Sequence, residues 1–206
     1  MPRLLVVLDV DSTLIAQEVV DLLADAAGVG AEVSAVTAAA MRGELDFAGS
    51  LTRRVALLEG LPEAVLGEVR SRITLTDGVP ELVAAVHGAG GAIAAVSGGF
   101  RQVLDPLAAE IGLDHREAND LEVVDGRLTG RVLGRIVDAD VKRERLLEWA
   151  AELGATRTIA VGDGANDLRM LSAATLSVAF DAKPAVRAAA DVVLPGPSLR
   201  PLLALL

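Results

Sequence analysis

The chain has 206 residues, with 19 Lys and Arg against 29 Asp and Glu, a formal net charge of −10 and no cysteine. A length of this order with 52% apolar content suits one large or two modest globular domains and excludes a mainly disordered chain. Without cysteine there are no disulfides, thiolate nucleophiles, iron–sulfur clusters or cysteine-held zinc, and the acidic excess argues against a broad nucleic-acid or anionic-membrane surface. The two histidines are far apart in sequence, so any metal is expected on oxygen ligands. One Trp, three Phe and no Tyr leave few platforms for stacking bases. The opening LLVVL run is too short for a secretory signal, and no uncharged run reaches membrane-spanning length, so a soluble cytoplasmic protein is expected.

In chain order, residues 4–8 read as a buried strand that ends at Asp9-Val10-Asp11-Ser12-Thr13. From 17 to about 72 the spacing turns helical: Val19, Val20, Leu22, Leu23, Ala26 and Ala27 share a face, and further helices are expected near 31–42, 47–58 and 62–72, the last with Pro62 in its first turn. A helix near 80–88 then leads into a strand at 92–96, and Ser97-Gly98-Gly99 is expected to turn into a helix near 100–111. Val123 to Leu128 reads as a small hairpin on an Asp-Gly turn. A helix near 141–153, a strand at 158–161, a helix at 167–173, strands near 175–179 and 191–194 with a helix between them, and a short helix near 198–205 complete the alternation. The fold class expected is α/β: a Rossmann-like, mostly parallel sheet covered by helices, with a small α-helical cap inserted.

In such sheets ligands gather outside the carboxyl ends of strands, where Asp9/Asp11, Ser97/Gly98 and Asp163/Asn166/Asp167 fall, together with Lys142. Asp9 and Asp11 are two residues apart on a short extended path, so both carboxylates can face one side. One can bind a hard cation and attack phosphorus, and the other can move the proton of a departing alcohol and then of water. A capping turn explains the same pair without chemistry. Asp163 can complete an oxygen-rich Mg²⁺ site with Asn166 and Asp167 orienting it, although an Asp-Gly turn is the plain alternative. Ser97, Gly98 and Gly99 offer a hydroxyl and close backbone N–H groups to a phosphate, and Lys142 offers a compact positive charge, or else a tight turn and a solvated helix face.

Taken in order, Asp9-Val10-Asp11-Ser12-Thr13-Leu14, Val96-Ser97-Gly98-Gly99-Phe100, Lys142 and Val161-Gly162-Asp163-Gly164-Ala165-Asn166-Asp167 resemble the haloacid-dehalogenase-like hydrolase superfamily and, within it, the phosphoserine phosphatase family, over nearly the whole chain. The resemblance implies Asp9 as nucleophile and Asp11 as general acid and base. It implies Mg²⁺ on the side chains of Asp9 and Asp163 and the backbone carbonyl of Asp11, with Asp167 as a supporting acid. Ser97, Gly98 and Lys142 match phosphate binders, and Asn166 a substrate or phosphate contact. Val10 stands where the family commonly has Phe, an apolar exchange that leaves the reacting oxygens alone.

The helical insertion then becomes a cap, dividing the chain into a first core part at 1–14, a cap at 15–75 and a second core part at 76–206. Glu18 matches the residue that receives an ammonium group and Arg54 the carboxylate-binding arginine, while Phe47 supplies an apolar wall. The implied activity is Mg²⁺-dependent hydrolysis of O-phospho-L-serine through an aspartyl-phosphate. A phosphatase for phosphohomoserine, phosphothreonine or another small phosphate remains an alternative, as does a non-enzymatic phosphoacceptor domain. The partner expected is a small phosphorylated amino acid, with no nucleic acid and no membrane; the sequence leaves homodimer formation open. Gly28-Val29-Gly30 follows a helix rather than a strand and lacks a dinucleotide-binding context, and His87 and His115 are expected in packing or at the surface.

Overall fold

Leu4 to Leu8 serve two apolar layers at once. Because successive strand side chains alternate, Leu4, Val6 and Leu8 join one core cluster while Leu5 and Val7 join another on the opposite face. In the computed structural model, which describes residues 3–206, this strand is β1 (Arg3–Leu8), and both clusters form around it. The two residues before it, the start of the expected first core part, lie outside the described residues.

Six further strands complete the sheet: β2 (Ala92–Phe100), β3 (His115–Val124), β4 (Arg127–Leu133), β5 (Ala155–Gly162), β6 (Leu176–Phe180) and β7 (Val192–Leu194). Their order is β4-β3-β2-β1-β5-β6-β7, with only β4 antiparallel to its neighbour. The chain moves outward from β1 to β2 and β3, then returns to β5 on the other side. That reversal opens a crevice at the carboxyl end of β1, where α/β sheets bind ligands.

Between β1 and β2 lie α1 (Val19–Ala27), α2 (Gly30–Met41), α3 (Phe47–Ala56), α4 (Ala64–Ser71) and α5 (Val79–Gly88). The first four are the inserted helical region. Its entering and leaving strands of chain pair with one another: Ile15 bridges Leu75, Ala16 N–H donates to Thr74 O (3.0 Å), and Thr76 N–H donates to Leu14 O (3.0 Å). Helix α5, α6 (Arg101–Ile111) and the last short helical turn supply Leu82, Val86, Val103, Leu104 and Leu202 to one face. The other face is covered by α7 (Ala139–Leu153), α8 (Leu168–Ala173) and α9 (Pro184–Ala189) through Leu146, Trp149, Met170 and Val186. Each fully buried Leu or Val side chain stabilises the fold by about 1.5–3 kcal/mol.

The structure departs from the sequence expectations in four places. Strand β2 runs on through Ser97, Gly98 and Gly99 to Phe100, so these residues sit in a strand irregularity rather than a helix-opening turn. The cause is Asn119 on β3, buried and missed by sequence reasoning: its amide donates to Gly98 O (2.9 Å) and Gly99 O (3.2 Å), and its oxygen accepts from Val137 N–H (2.8 Å). Strand β3 is ten residues long, reaching well before the Val123 to Leu128 hairpin; the turn itself has Asp125 and Gly126 both at positive φ, as a tight hairpin needs. Pro62 lies outside α4 and bridges Arg127, part of a seam in which Gly60 N–H donates to Leu128 O (2.8 Å) and Glu63 N–H to Gly126 O (2.9 Å). Finally, α7 starts at Ala139, because the Asp138 carboxylate accepts from Asp140 and Val141 N–H at 3.0 Å each.

Replacing Asn119 with Ala strands three backbone groups at once. Urea denaturation of Asn119→Ala is expected to show a loss of about 2–3 kcal/mol of stability, and an unchanged midpoint would contradict this role.

Candidate active site

Strand β1 delivers Asp9 to the sheet edge, where its N–H still donates to Val161 O on β5 (2.9 Å). The chain then coils tightly through residues 10–14, with Ile15 N–H returning to Val10 O (3.0 Å). This coil separates the two carboxylates. Asp11 turns toward the inserted helices, accepting from Val19 N–H at the start of α1 (2.9 Å) and from the Ser97 hydroxyl (3.2 Å). Gly99 N–H in turn donates to Ser97 Oγ (2.8 Å), so a chain of bonds joins β2 to Asp11. A Cβ on Gly99 would approach Asp11 Oδ2 to 2.8 Å, which explains a glycine there.

Asp9 turns the other way. Lys142 of α7 is fully buried and donates to Asp9 Oδ1 and to Asp167 Oδ1, the latter at 2.7 Å. Burial opposes the ammonium charge, yet Asp167 and Asp9 outweigh it and hold Lys142 protonated well above the ordinary lysine range. Asp167, also fully buried, accepts from Gly164 N–H through its second oxygen (3.0 Å). It packs onto Gly162, where a Cβ would lie 2.6 Å from the carboxylate. Gly162, part of the sequence motif but given no role there, is thus a site residue that lets the Asp167 carboxylate approach the strand.

Asp9, Asp163 and Asp167 each present a carboxylate oxygen within 4.8 Å of the others. Burial, then the charge of Asp167, pushes Asp9 well above the ordinary aspartate range and Asp163 to about 6. Three crowded hard oxygen donors, two of them with ionisation disfavoured, suit a divalent cation, which reverses that penalty. The Asp11 side chain is not among them. Its carboxyl is pushed up to about 7, first by burial and then by the negative charge of Glu18.

A cavity of about 370 Å³ opens over these groups, lined by Asp9, Asp11, Glu18, Phe47, Arg54, Gly98, Asp163 and Asn166. Of the residues singled out in sequence, Ser97, Lys142 and Asp167 stand behind this wall rather than on it, each buried and bonded to a carboxylate or N–H that faces the cavity or supports it. Phe47 opens α3, where the Asp46 carboxylate accepts from Gly49 N–H (2.7 Å). A Cβ on Gly98 would come within 2.6 Å of its ring, so the inserted region touches β2 here. Arg54, about two turns further along α3, donates to Ser50 O (3.4 Å) and faces Glu18, Asp21 and Asp11 electrostatically. Lys183, just after β6, also lines the cavity, and its N–H donates to Asp163 O (3.1 Å). Its place at a strand's carboxyl end was readable in sequence and overlooked.

A family model for haloacid dehalogenase-like hydrolases matches residues 6–172. The chain is 51% identical to a phosphoserine phosphatase of Streptococcus thermophilus over 95% of this chain and 92% of that protein. The chain belongs to the haloacid dehalogenase-like hydrolases, and among them to the phosphoserine phosphatase family. A second family member, from Streptomyces coelicolor, is 54% identical over 98% of this chain, which spans about half (50%) of that longer protein. Among solved structures, one described as a phospho-aspartyl intermediate analogue of phosphoserine phosphatase superposes with a TM-score of 0.94 at 39% identity, covering 100% of both chains. The inserted helices and mostly parallel sheet are therefore the capped fold of this family.

The Asp11 shift sets a stability trend in metal-free protein. With its folded value at about 7, above that of the unfolded chain, the native state holds the extra proton between about pH 4 and pH 7, so stability falls as pH rises through that window. Asp11→Asn removes this term. Its stability relative to wild type is expected to rise between about pH 4 and pH 8 in urea titrations with chelator present, and a pH-independent difference would contradict the assignment.

Proposed function

We propose that this chain hydrolyses O-phospho-L-serine to L-serine and phosphate through an aspartyl-phosphate on Asp9, with Mg²⁺ as cofactor. The observation that carries the reading is the division of labour in one cavity: Asp9 in a carboxylate cluster on one side, and Asp11, outside that cluster and with a carboxyl at about 7, on the other. Asp9, Asp163 and the Asp11 backbone carbonyl would hold the cation, which when bound supplies the positive charge that offsets the phosphoryl oxygens.

Lys142 fixes Asp9 and favours its ionised form against the burial and the Asp167 charge that oppose it, and an Asp9 oxygen attacks phosphorus in line. As the bond from phosphorus to the serine oxygen breaks, Asp11 donates its proton to that oxygen. Water then attacks the phosphorus of the aspartyl-phosphate, Asp11 takes up the water's proton, and the Asp9 carboxylate leaves unchanged. A group that titrates at about 7 can perform both transfers near neutral pH. Ser97 orients Asp11, and in the phosphate-bound state Ser97, Gly98, Lys142 and Asn166 steady the phosphoryl oxygens. Glu18 receives the substrate ammonium and Arg54 pairs with its carboxylate, with Phe47 closing the apolar side.

In this reading residues 15–75 act as a cap over a core formed by 1–14 and 76–206, and excluding water is its task. Among the described residues no helix is long and apolar enough to cross a membrane. We assign the work to the cytoplasm, as the dephosphorylating step that yields serine, with a small phosphorylated amino acid as the partner.

Purified protein is expected to release phosphate from O-phospho-L-serine with Mg²⁺ and to stop with chelator. Asp9→Asn is expected to lose at least about 10³-fold in kcat while staying folded. Full activity in that variant would reject Asp9 as nucleophile, and a higher kcat/KM for phosphothreonine or a phosphate lacking the amino or carboxylate group would reject the substrate.

A further inference from the structure

Ser12, between the catalytic carboxylates and the inserted helices, has a backbone conformation that works against its own identity. Its φ and ψ of 57° and 8° lie in the left-handed region, which glycine adopts freely and an L side chain resists. On backbone grounds alone a glycine would serve the coil better, so the hydroxyl must contribute something a glycine lacks. Its partner is Glu18: Ser12 Oγ donates to Glu18 Oε1 at 2.8 Å.

That bond crosses the joint between core and cap. Ser12 N–H donates to Gln17 O (3.3 Å), and Gln17 Oε1 accepts from Thr74 N–H (2.9 Å) on the chain leaving the cap, so the coil is tied to both passages. Glu18 stands immediately before α1, yet its side chain makes no capping bond to that helix. It lines the cavity beside two other carboxylates, Asp11 and Asp21. A glutamate side chain so placed has several rotamers open to it, with the acids Asp11 and Asp21 and the Arg54 guanidinium acting on it in opposite senses. A single donor on one oxygen selects an orientation and leaves the other oxygen to accept from a ligand.

We propose that Ser12 is a positioning residue for substrate selection: its hydroxyl holds the Glu18 carboxylate where the substrate ammonium arrives, so that a residue of the nucleophile coil sets the preference for amino-bearing phosphates. This rests on the reading of Glu18 as the ammonium receiver. In this role the Ser12 hydroxyl bonds neither the phosphoryl group nor a metal ligand, and its effect is confined to the amino end of the substrate.

The test compares kcat/KM for O-phospho-L-serine with that for 3-phosphonooxypropanoate, which lacks only the amine, in wild type, Ser12→Gly, Glu18→Gln and the double variant. Wild type is expected to prefer phosphoserine. Ser12→Gly is expected to reduce that preference by about tenfold, the effect of one hydrogen bond to a charged group, mainly through KM. Its Tm should equal or exceed that of wild type, since glycine relieves the left-handed backbone. In the double variant, Ser12→Gly should add nothing to Glu18→Gln. An intact preference in Ser12→Gly, an equal loss on both substrates, or additivity with Glu18→Gln would overturn the inference while leaving the substrate reading standing. A wild type with no preference for phosphoserine would overturn both.

Discussion

The buried Lys142 ammonium is the interaction around which the site is arranged. It joins three separate elements, the end of β1 through Asp9, α7 through its own backbone, and the turn at 165–167 through Asp167. An ammonium with no exposed surface survives only because two carboxylates face it, and those carboxylates are tolerable together only because it lies between them. Removing one member of such a buried set costs about 3–5 kcal/mol, since a charge is left without its partner. The same contact therefore positions Asp9 and partly offsets the burial and the Asp167 charge that oppose its ionisation, and a divalent cation would address the negative charge that remains.

A second constraint operates at the joint. The cap is connected to the core by two chain passages that hydrogen-bond to each other, and its far end is sewn to the hairpin of β3 and β4 by Gly60, Leu61 and Glu63. Between those attachments, Asp11 accepts from the first N–H of α1, and Phe47 rests on Gly98. Asp11 is thus bonded to the cap as well as to β2. Occupancy of the cap side and the protonation of Asp11 share an electrostatic field, because Glu18 is the second largest cause of the Asp11 shift.

Much of this was legible in sequence, for identifiable reasons. Leu4 to Leu8 reads as a central strand because both faces are buried and no polar residue interrupts it, and the acids after it mark the sheet's carboxyl edge. The α1 pattern is equally clear, and Gly28 in a left-handed conformation ends it where a glycine should. Asn119 was not legible: nothing local distinguishes a polar residue that will be buried to hold a strand irregularity from one that faces water. The burial of Lys142 was hidden in the same way, since its flanks Val141-Lys142-Arg143-Glu144-Arg145 read as a solvated face, and only the placement of α7 against β1 and β5 turns position 142 inward. The conformation of Ser12 has no sequence signature at all, because a serine there is compatible with an ordinary turn.

Asp9, held by Lys142, is expected to carry the phosphoryl group during turnover. Acid quench of the Mg²⁺-loaded protein during steady-state hydrolysis of O-phospho-L-serine, followed by tryptic digestion and mass spectrometry of the peptide Leu4–Arg42, tests it directly. The expected result is phosphate on that peptide, with borohydride reduction converting residue 9 to homoserine. Sustained turnover with no phosphate trapped there, or phosphate found on another residue, would contradict the account.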